Sequence, residues 1–119
     1  SANKWTISCA QIETKEALDN LDEILKVDGL DMVLVGPNDL CVSLTNGAER
    51  DVRHKMVIEA LDLVLGKCNQ YGVISGVFAN DIEYAKPLIE KAWNIVAVGT
   101  ESGMLKSALS STLSFLNRP

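Results

Sequence analysis

The sequence predicts an α/β fold with parallel strands, assembled from four consecutive βα units. Three observations predict it. Four short apolar runs of strand length recur along the chain: TISCAQI (6–12), DMVLVGP (31–37), VISGVFA (73–79) and NIVAVGT (94–100). They are rich in β-branched residues and apolar on both faces, the pattern of strands covered on both sides. Each is followed by a segment whose apolar residues repeat at helical spacing. Finally, 47% hydrophobic and 23% charged residues in a chain of 119 suit one compact domain, expected to span 1–119.

The elements follow in order. After the first strand, Ala17, Leu18, Leu21, Ile24 and Leu25 mark one helix face, with Thr14 as its cap and Asp28-Gly29 as its end. Met56, Val57, Ala60, Leu61, Val64 and Cys68 mark the second helix, closed by Tyr71-Gly72. Asn80-Asp81 opens the third, with Ile82, Ala85, Leu88 and Ile89 on its apolar face. The last carries Met104, Leu105, Ala108, Leu109 and Leu113, and its tail, SALSSTLSFLNRP, reads as an amphipathic helix that packs on the sheet or on a neighbouring subunit. Trp5 and Trp93 precede strands and read as plugs at the N-terminal face.

Composition excludes several functions. A net charge of −5 without any Lys/Arg run disfavours nucleic acid and anionic membranes, which call for clustered positive charge. No apolar run approaches the roughly 20 residues of a membrane-spanning helix, and no signal-peptide pattern opens the chain. Three cysteines, Cys9, Cys41 and Cys68, cannot all pair, so reduced thiols in a soluble, cytoplasmic protein are expected.

Two architectures accommodate four βα units: an open doubly wound sheet, or half of a (β/α)8 barrel. Both place ligands beyond the C-terminal ends of the strands, which directs attention to Gln11 and Glu13, Gly36 to Asp39, Ala79 to Asp81, and Gly99 to Ser102. Glu13 ends the first strand and Asp39 follows the second, so neighbouring strands would bring two carboxylates to one mouth. Such a pair suits a hard divalent cation like Mg²⁺, which takes one or two carboxylates and fills its other positions with water or substrate oxygens. Gln11 shares the strand parity of Glu13, and its amide can donate to an oxyanion. Plainer roles exist beside these: Glu13 as a helix-dipole partner, Pro37-Asn38-Asp39 as a turn with an Asx cap, and GTESG (99–103) as an ordinary turn rather than a phosphate loop.

QIET followed by ALDNLDEILKVDGLDMVLVGPNDL resembles the core signature of the HpcH/HpaI family of metal-dependent pyruvate aldolases, relatives of citrate lyase β-type proteins. Weaker similarity continues through GVISGVFAND and NIVAVGTESGML. The resemblance covers nearly the whole chain and the C-terminal half of the family's TIM barrel. It implies the half-barrel architecture, with Glu13 and Asp39 as ligands of a divalent metal ion, Mg or Mn. Gln11 is implied as a substrate contact, Gly36, Pro37 and Asn38 as the loop whose backbone approaches a pyruvate carboxylate, and Leu40 as its packing anchor. The implied reaction is reversible aldol cleavage of a 2-oxo-4-hydroxy acid to pyruvate and an aldehyde. A metal would also remove the need for a Schiff-base lysine, and no Lys lies in any of the four strand runs.

The chain departs from the family pattern in ways that shape the functional expectation. The family's acid-base His and oxyanion-stabilising Arg come from the other half of the barrel. His54, the only histidine, lies in a polar stretch with Arg50, Asp51, Arg53 and Lys55 and reads as a solvated surface residue. Glu101 stands where the family often has Asp, and Ala92-Trp93 where a Gly is usual. Four parallel strands leave unpaired edges and an uncovered inner face, so a covering surface is expected. A second copy, a complementary N-terminal half, or the remainder of a longer aldolase would each supply it. Ser1 reads as a cloning scar, and the chain starts only a few residues before its key motif. Two functions stand side by side: a carbon-carbon lyase completed by association, or a non-catalytic module that binds metal and a 2-oxo acid or a protein partner.

Overall fold

The computed structural model describes residues 2–117; Ser1 and the last two residues of the C-terminal segment lie outside them. A 3-10 turn at Ala2–Lys4 precedes β1 (Cys9–Ile12). Then come α1 (Lys15–Asp19), α2 (Leu21–Leu25), β2 (Met32–Val35), α3 (Pro37–Leu44), α4 (Lys55–Tyr71), β3 (Ile74–Ala79), α5 (Ile82–Glu90), β4 (Ile95–Val98) and α6 (Glu101–Leu116).

The four strands form one parallel sheet in sequential order. That order decides between the two architectures, because a doubly wound sheet reverses its strand order partway, whereas a sequential sheet with right-handed crossovers keeps its helices on one face. The architecture is half of a (β/α)8 barrel. Its register aligns Ile12, Val35, Val77 and Val96 in one row. Ile12, Val35 and Val77 are fully buried beneath the helices, together with Leu40, Val57, Val64 and Cys68.

The opposite face is the concave one. Its row, Gln11, Leu34, Gly76 and Ile95, is partly open to solvent, with Ile95 42% exposed. The expectation of strands covered on both sides therefore fails for the described residues: one face is covered by helices and the other would form a barrel interior. Gly76 is confined there by sterics, since a Cβ would come within 2.9 Å of the Val33 carbonyl and 3.2 Å of Leu34 Cδ1.

Local chemistry sets the helix boundaries. Thr14 Oγ1 accepts from Ala17 N at 3.1 Å, and Asp81 Oδ1 accepts from Tyr84 N at 2.8 Å, so both expected caps form. Gly72 ends α4 in the left-handed region at φ 70°, as a C-terminal glycine does. The first helix is in fact two, because Asn20 donates its side-chain amide to Glu16 O at 2.9 Å and leaves helical geometry at that point. A further helix, α3, occupies residues 37–44 where a turn was one reading; Pro37 stands at its first position and Asp39 in its first turn.

Side chains lock the N-terminal face of the sheet. Asp31 accepts from Ser8 N at 2.7 Å, and Asn94 Oδ1 accepts from both Ser75 N and Oγ, at 2.9 and 3.0 Å. On the helix side, Asp22 accepts from Lys67 and Tyr71, each at 2.8 Å, and these bonds hold its carboxyl below the usual carboxylate range. Trp93 is buried at this face as expected, but Trp5 is 89% exposed and plugs nothing among the described residues. The outward parts of the apolar periodicities also miscarry: Met56, Ile82 and Ile89 are exposed, and α6 has no buried residue.

Candidate metal and substrate site

Glu13 and Asp39 converge. A Cβ placed on Gly36 would lie 3.2 Å from Glu13 Oε2 and 3.6 Å from Asp39 Oδ2, so both carboxylates crowd the same point of backbone. The parallel pairing of β1 with β2 carries the Glu13 loop alongside Gly36, where Gly36 N donates to Ile12 O at 3.2 Å. Without a side chain, Gly36 leaves room for the two acids to meet.

The neighbouring elements explain why these side chains are free to do so. Thr14, not Glu13, caps α1, and no side chain caps α3, so neither carboxylate is spent on a helix end. Lys15 N donates to Ser43 Oγ at 2.9 Å, tying the chain just after Glu13 to the body of α3. Leu40, fully buried one residue beyond Asp39, anchors the same helix in the core. Among the described residues no Lys or Arg forms an ion pair with Glu13 or Asp39. Two close carboxylates without a counter-cation repel each other, and a bound divalent cation would relieve this. No cluster of three or more His, Cys, Asp or Glu side chains with metal-binding geometry occurs among the described residues, so the pair would need its remaining ligands from substrate, water or another surface.

Around the pair, Gln11 is exposed on the concave face and makes no side-chain hydrogen bond among the described residues. The start of α3 adds backbone donors: Leu40 N bonds Gly36 O at 3.0 Å, while the N–H groups of Asn38 and Asp39 precede the helical ladder. A cavity of about 910 Å³ opens next to them, between the ends of β3 and β4 and the first turns of α6, bordered by Asn38, Phe78, Asn80, Thr100 and Met104. The Gly99–Ser102 region is an ordinary helix start: Thr100 Oγ1 accepts from Gly103 N at 3.1 Å.

His54 is not among the residues that border this cavity. It is half-buried rather than solvated, and caps α4 by accepting from Met56 N at 3.3 Å through Nδ1. Arg53 stacks 5.6 Å from the centre of the Tyr84 ring and reaches Asp81, at the edge of the cavity, at 3.8 Å, so its charge is engaged there rather than with the acidic pair. The sequence reading missed Ser43, and it placed Asn80 at the start of the third helix and at the ligand end of the strands without foreseeing its pairing with Asn38. Ser43 was hidden because the 37–44 helix was not recognised, although a Gly-Pro start with an acidic third residue signals one.

Four sequential parallel βα units whose acidic pair lies at the C-terminal mouth define half of a TIM-barrel-type fold. The model of the HpcH/HpaI aldolase/citrate lyase family matches residues 1–108, and the chain belongs to that family. A hydroxypyruvate/pyruvate aldolase of Rhizorhabdus wittichii is 33% identical over 107 residues, covering 90% of this chain and 43% of that protein. A 2-keto-3-deoxy-L-rhamnonate aldolase of Salmonella typhimurium is 35% identical over 112 residues, 94% of this chain and 41% of its own length. A crystal structure of an HpcH/HpaI aldolase/citrate lyase family protein from Burkholderia cenocepacia superposes with a TM-score of 0.91 at 30% identity, covering 99% of this chain and 45% of that one. The chain thus spans less than half the length of the relatives it matches.

Proposed function

We propose that this chain provides the metal- and oxo-acid-binding half of a pyruvate-type aldolase, which cleaves a 2-oxo-4-hydroxy acid to pyruvate and an aldehyde. The observation that carries this reading is the approach of Glu13 Oε2 and Asp39 Oδ2 to the single point above Gly36. Glu13 and Asp39 would hold a divalent cation, Mg or Mn, which when bound supplies Lewis-acid polarisation of the 2-oxo acid and stabilises the enolate charge. Gln11 would donate its free amide to a substrate oxygen from the floor of the mouth. The N–H groups of Asn38 and Asp39, at the positive end of α3, would receive the substrate carboxylate. Gly36 keeps the acids close, and Pro37 holds the first turn rigid with its fixed φ.

Proton transfer would be supplied from beyond these residues, since His54 Nδ1 is used in capping α4 and Arg53 is engaged by Tyr84 and Asp81. The exposed concave row and α6 support association with a second copy or a complementary half that covers the barrel interior. The same placement of His54 favours a second reading, a non-catalytic module that binds metal and 2-oxo acid without turnover. One experiment separates them: exchange of pyruvate methyl protons for deuterium, followed by NMR with Mn²⁺ or Mg²⁺, in wild type and Glu13→Gln. The lyase reading expects metal-dependent exchange that disappears in the variant. Metal binding without exchange would favour the module, and Mn²⁺ affinity unaltered by Glu13→Gln together with Asp39→Asn would rule out both.

A further inference from the structure

Asn38 and Asn80 form a reciprocal amide pair across the mouth. Asn38 Nδ2 donates to Asn80 Oδ1 at 3.0 Å, and Asn80 Nδ2 donates to Asn38 Oδ1 at 3.1 Å. The two residues belong to different βα units. Asn38 lies in the first turn of α3, beside Asp39, and Asn80 follows the last residue of β3.

The two ends of this bridge are unequal. Asn80 sits in a short connection held on both sides: Gly99 N donates to Ala79 O at 2.8 Å, and Asp81 caps α5 through Tyr84 N at 2.8 Å. The first turn of α3 is tied towards β1 by Gly36 N to Ile12 O, and its far end by Ser43 to Lys15 N. Towards β3, the amide pair is its hydrogen-bonded tie. A planar, two-bond arrangement restrains rotation as well as distance, so it fixes how the first turn of α3 is presented.

Resting on the function proposed above, we propose that Asn80 is a positioning residue for the oxo-acid end of the site. It acts through the Asn38 side chain to hold the N–H groups of Asn38 and Asp39 in line with the substrate carboxylate. Of the metal pair, Glu13 stands on the β1 side, and Asp39 directly precedes Leu40, whose full burial anchors that residue in the core without the bridge, so loss of Asn80 affects oxo-acid binding more than metal binding.

The test is a four-protein cycle of wild type, Asn80→Ala, Asn38→Ala and the double variant. Mn²⁺ affinity is measured by electron paramagnetic resonance, and pyruvate affinity by Mn²⁺ relaxation of its methyl protons. Asn80→Ala is expected to weaken pyruvate binding by roughly tenfold, the scale of one or two hydrogen bonds, with Mn²⁺ affinity within about twofold of wild type. In the Asn38→Ala background, Asn80→Ala is expected to add nothing further. Unchanged pyruvate affinity, equal losses of both ligands, or additive effects would each overturn the assignment, the second by marking a merely structural role. Wild type that binds Mn²⁺ but no pyruvate would overturn the proposed function and this inference together, a pattern distinct from the other three.

Discussion

The first three βα units and the fourth are written in the same sequence idiom and end in different states. Helices α4 and α6 have similar lengths, 17 and 16 residues, and both carry repeated Leu with one Met and one Ala. Six residues of α4 are buried and none of α6 is. The difference lies in what stands opposite. Helix α4 packs against α2, α3 and β3, while Leu105, Leu109 and Leu113 of α6 face solvent, each more than half exposed. An apolar stripe is a demand for a partner surface, which the first two units meet within the chain, the third meets in part through Tyr84, Ala85 and Leu88, and α6 does not meet. Glu13, Gly36 and Asp39 fall on the satisfied side, so the geometry of the acidic pair is set by packing that the chain supplies itself.

The sharpest way to break this contrast is to truncate one leucine in each region. Leu40→Ala removes a fully buried side chain beneath the candidate site and is expected to cost about 3 kcal/mol in urea unfolding. Leu109→Ala, on the exposed face of α6, is expected to stay within about 0.5 kcal/mol of wild type at low protein concentration. Comparable losses from the two would mean that α6 is already covered in solution.

Alkaline pH provides a second, somewhat smaller contrast. Burial pushes the Cys68 thiol up from 9.0 to about 11, and the Tyr84 phenol up to about 12. A group raised in the folded state contributes its full stability below its unfolded pKa, and that contribution disappears as pH climbs through the folded value. Unfolding free energy is therefore expected to fall between about pH 9 and pH 11, with Cys68 responsible for on the order of 2 kcal/mol. Cys68→Ala should flatten that slope in denaturant titrations across the range. Strand β4 and α6 hold no cysteine or tyrosine, so the slope belongs to the packed units alone.

Much of this was legible from the residues. Period and β-branching located all four strands, and strand order in the chain was enough to bring Glu13 and Asp39 to the same end of the sheet. What escaped had identifiable causes. Gly36-Pro37-Asn38-Asp39 contains only turn-favouring residues, which concealed the start of α3. The break at Asn20 depends on a side-chain bond to Glu16 O that no periodicity reveals. Ile82, Ile89 and the α6 leucines satisfied the helical pattern, but pattern specifies a face and not its neighbour. The Asn38–Asn80 pair joins residues 42 positions apart, and only the sheet register brings them together.

The junction between the two regions offers the smallest effect and the finest test. Ala92 connects α5 to β4 at φ 65°, in the left-handed region, with its N–H bonded to Ile89 O at 2.9 Å. A Cβ in that conformation crowds the following carbonyl at a cost of about 1–2 kcal/mol, which glycine avoids. Glycine also loses more backbone freedom on folding, roughly 0.5–1 kcal/mol, so the net gain of Ala92→Gly is expected to be about 0.5–1 kcal/mol in urea unfolding. The next residue, Trp93, is buried at the N-terminal face and ties the junction to the packed units. The gain should therefore register in the cooperative transition and not merely at a fraying end. An equal loss of stability would mean that the strain is absent and that α5 and β4 meet at a different angle, leaving the fourth unit less firmly joined to the first three than its register implies.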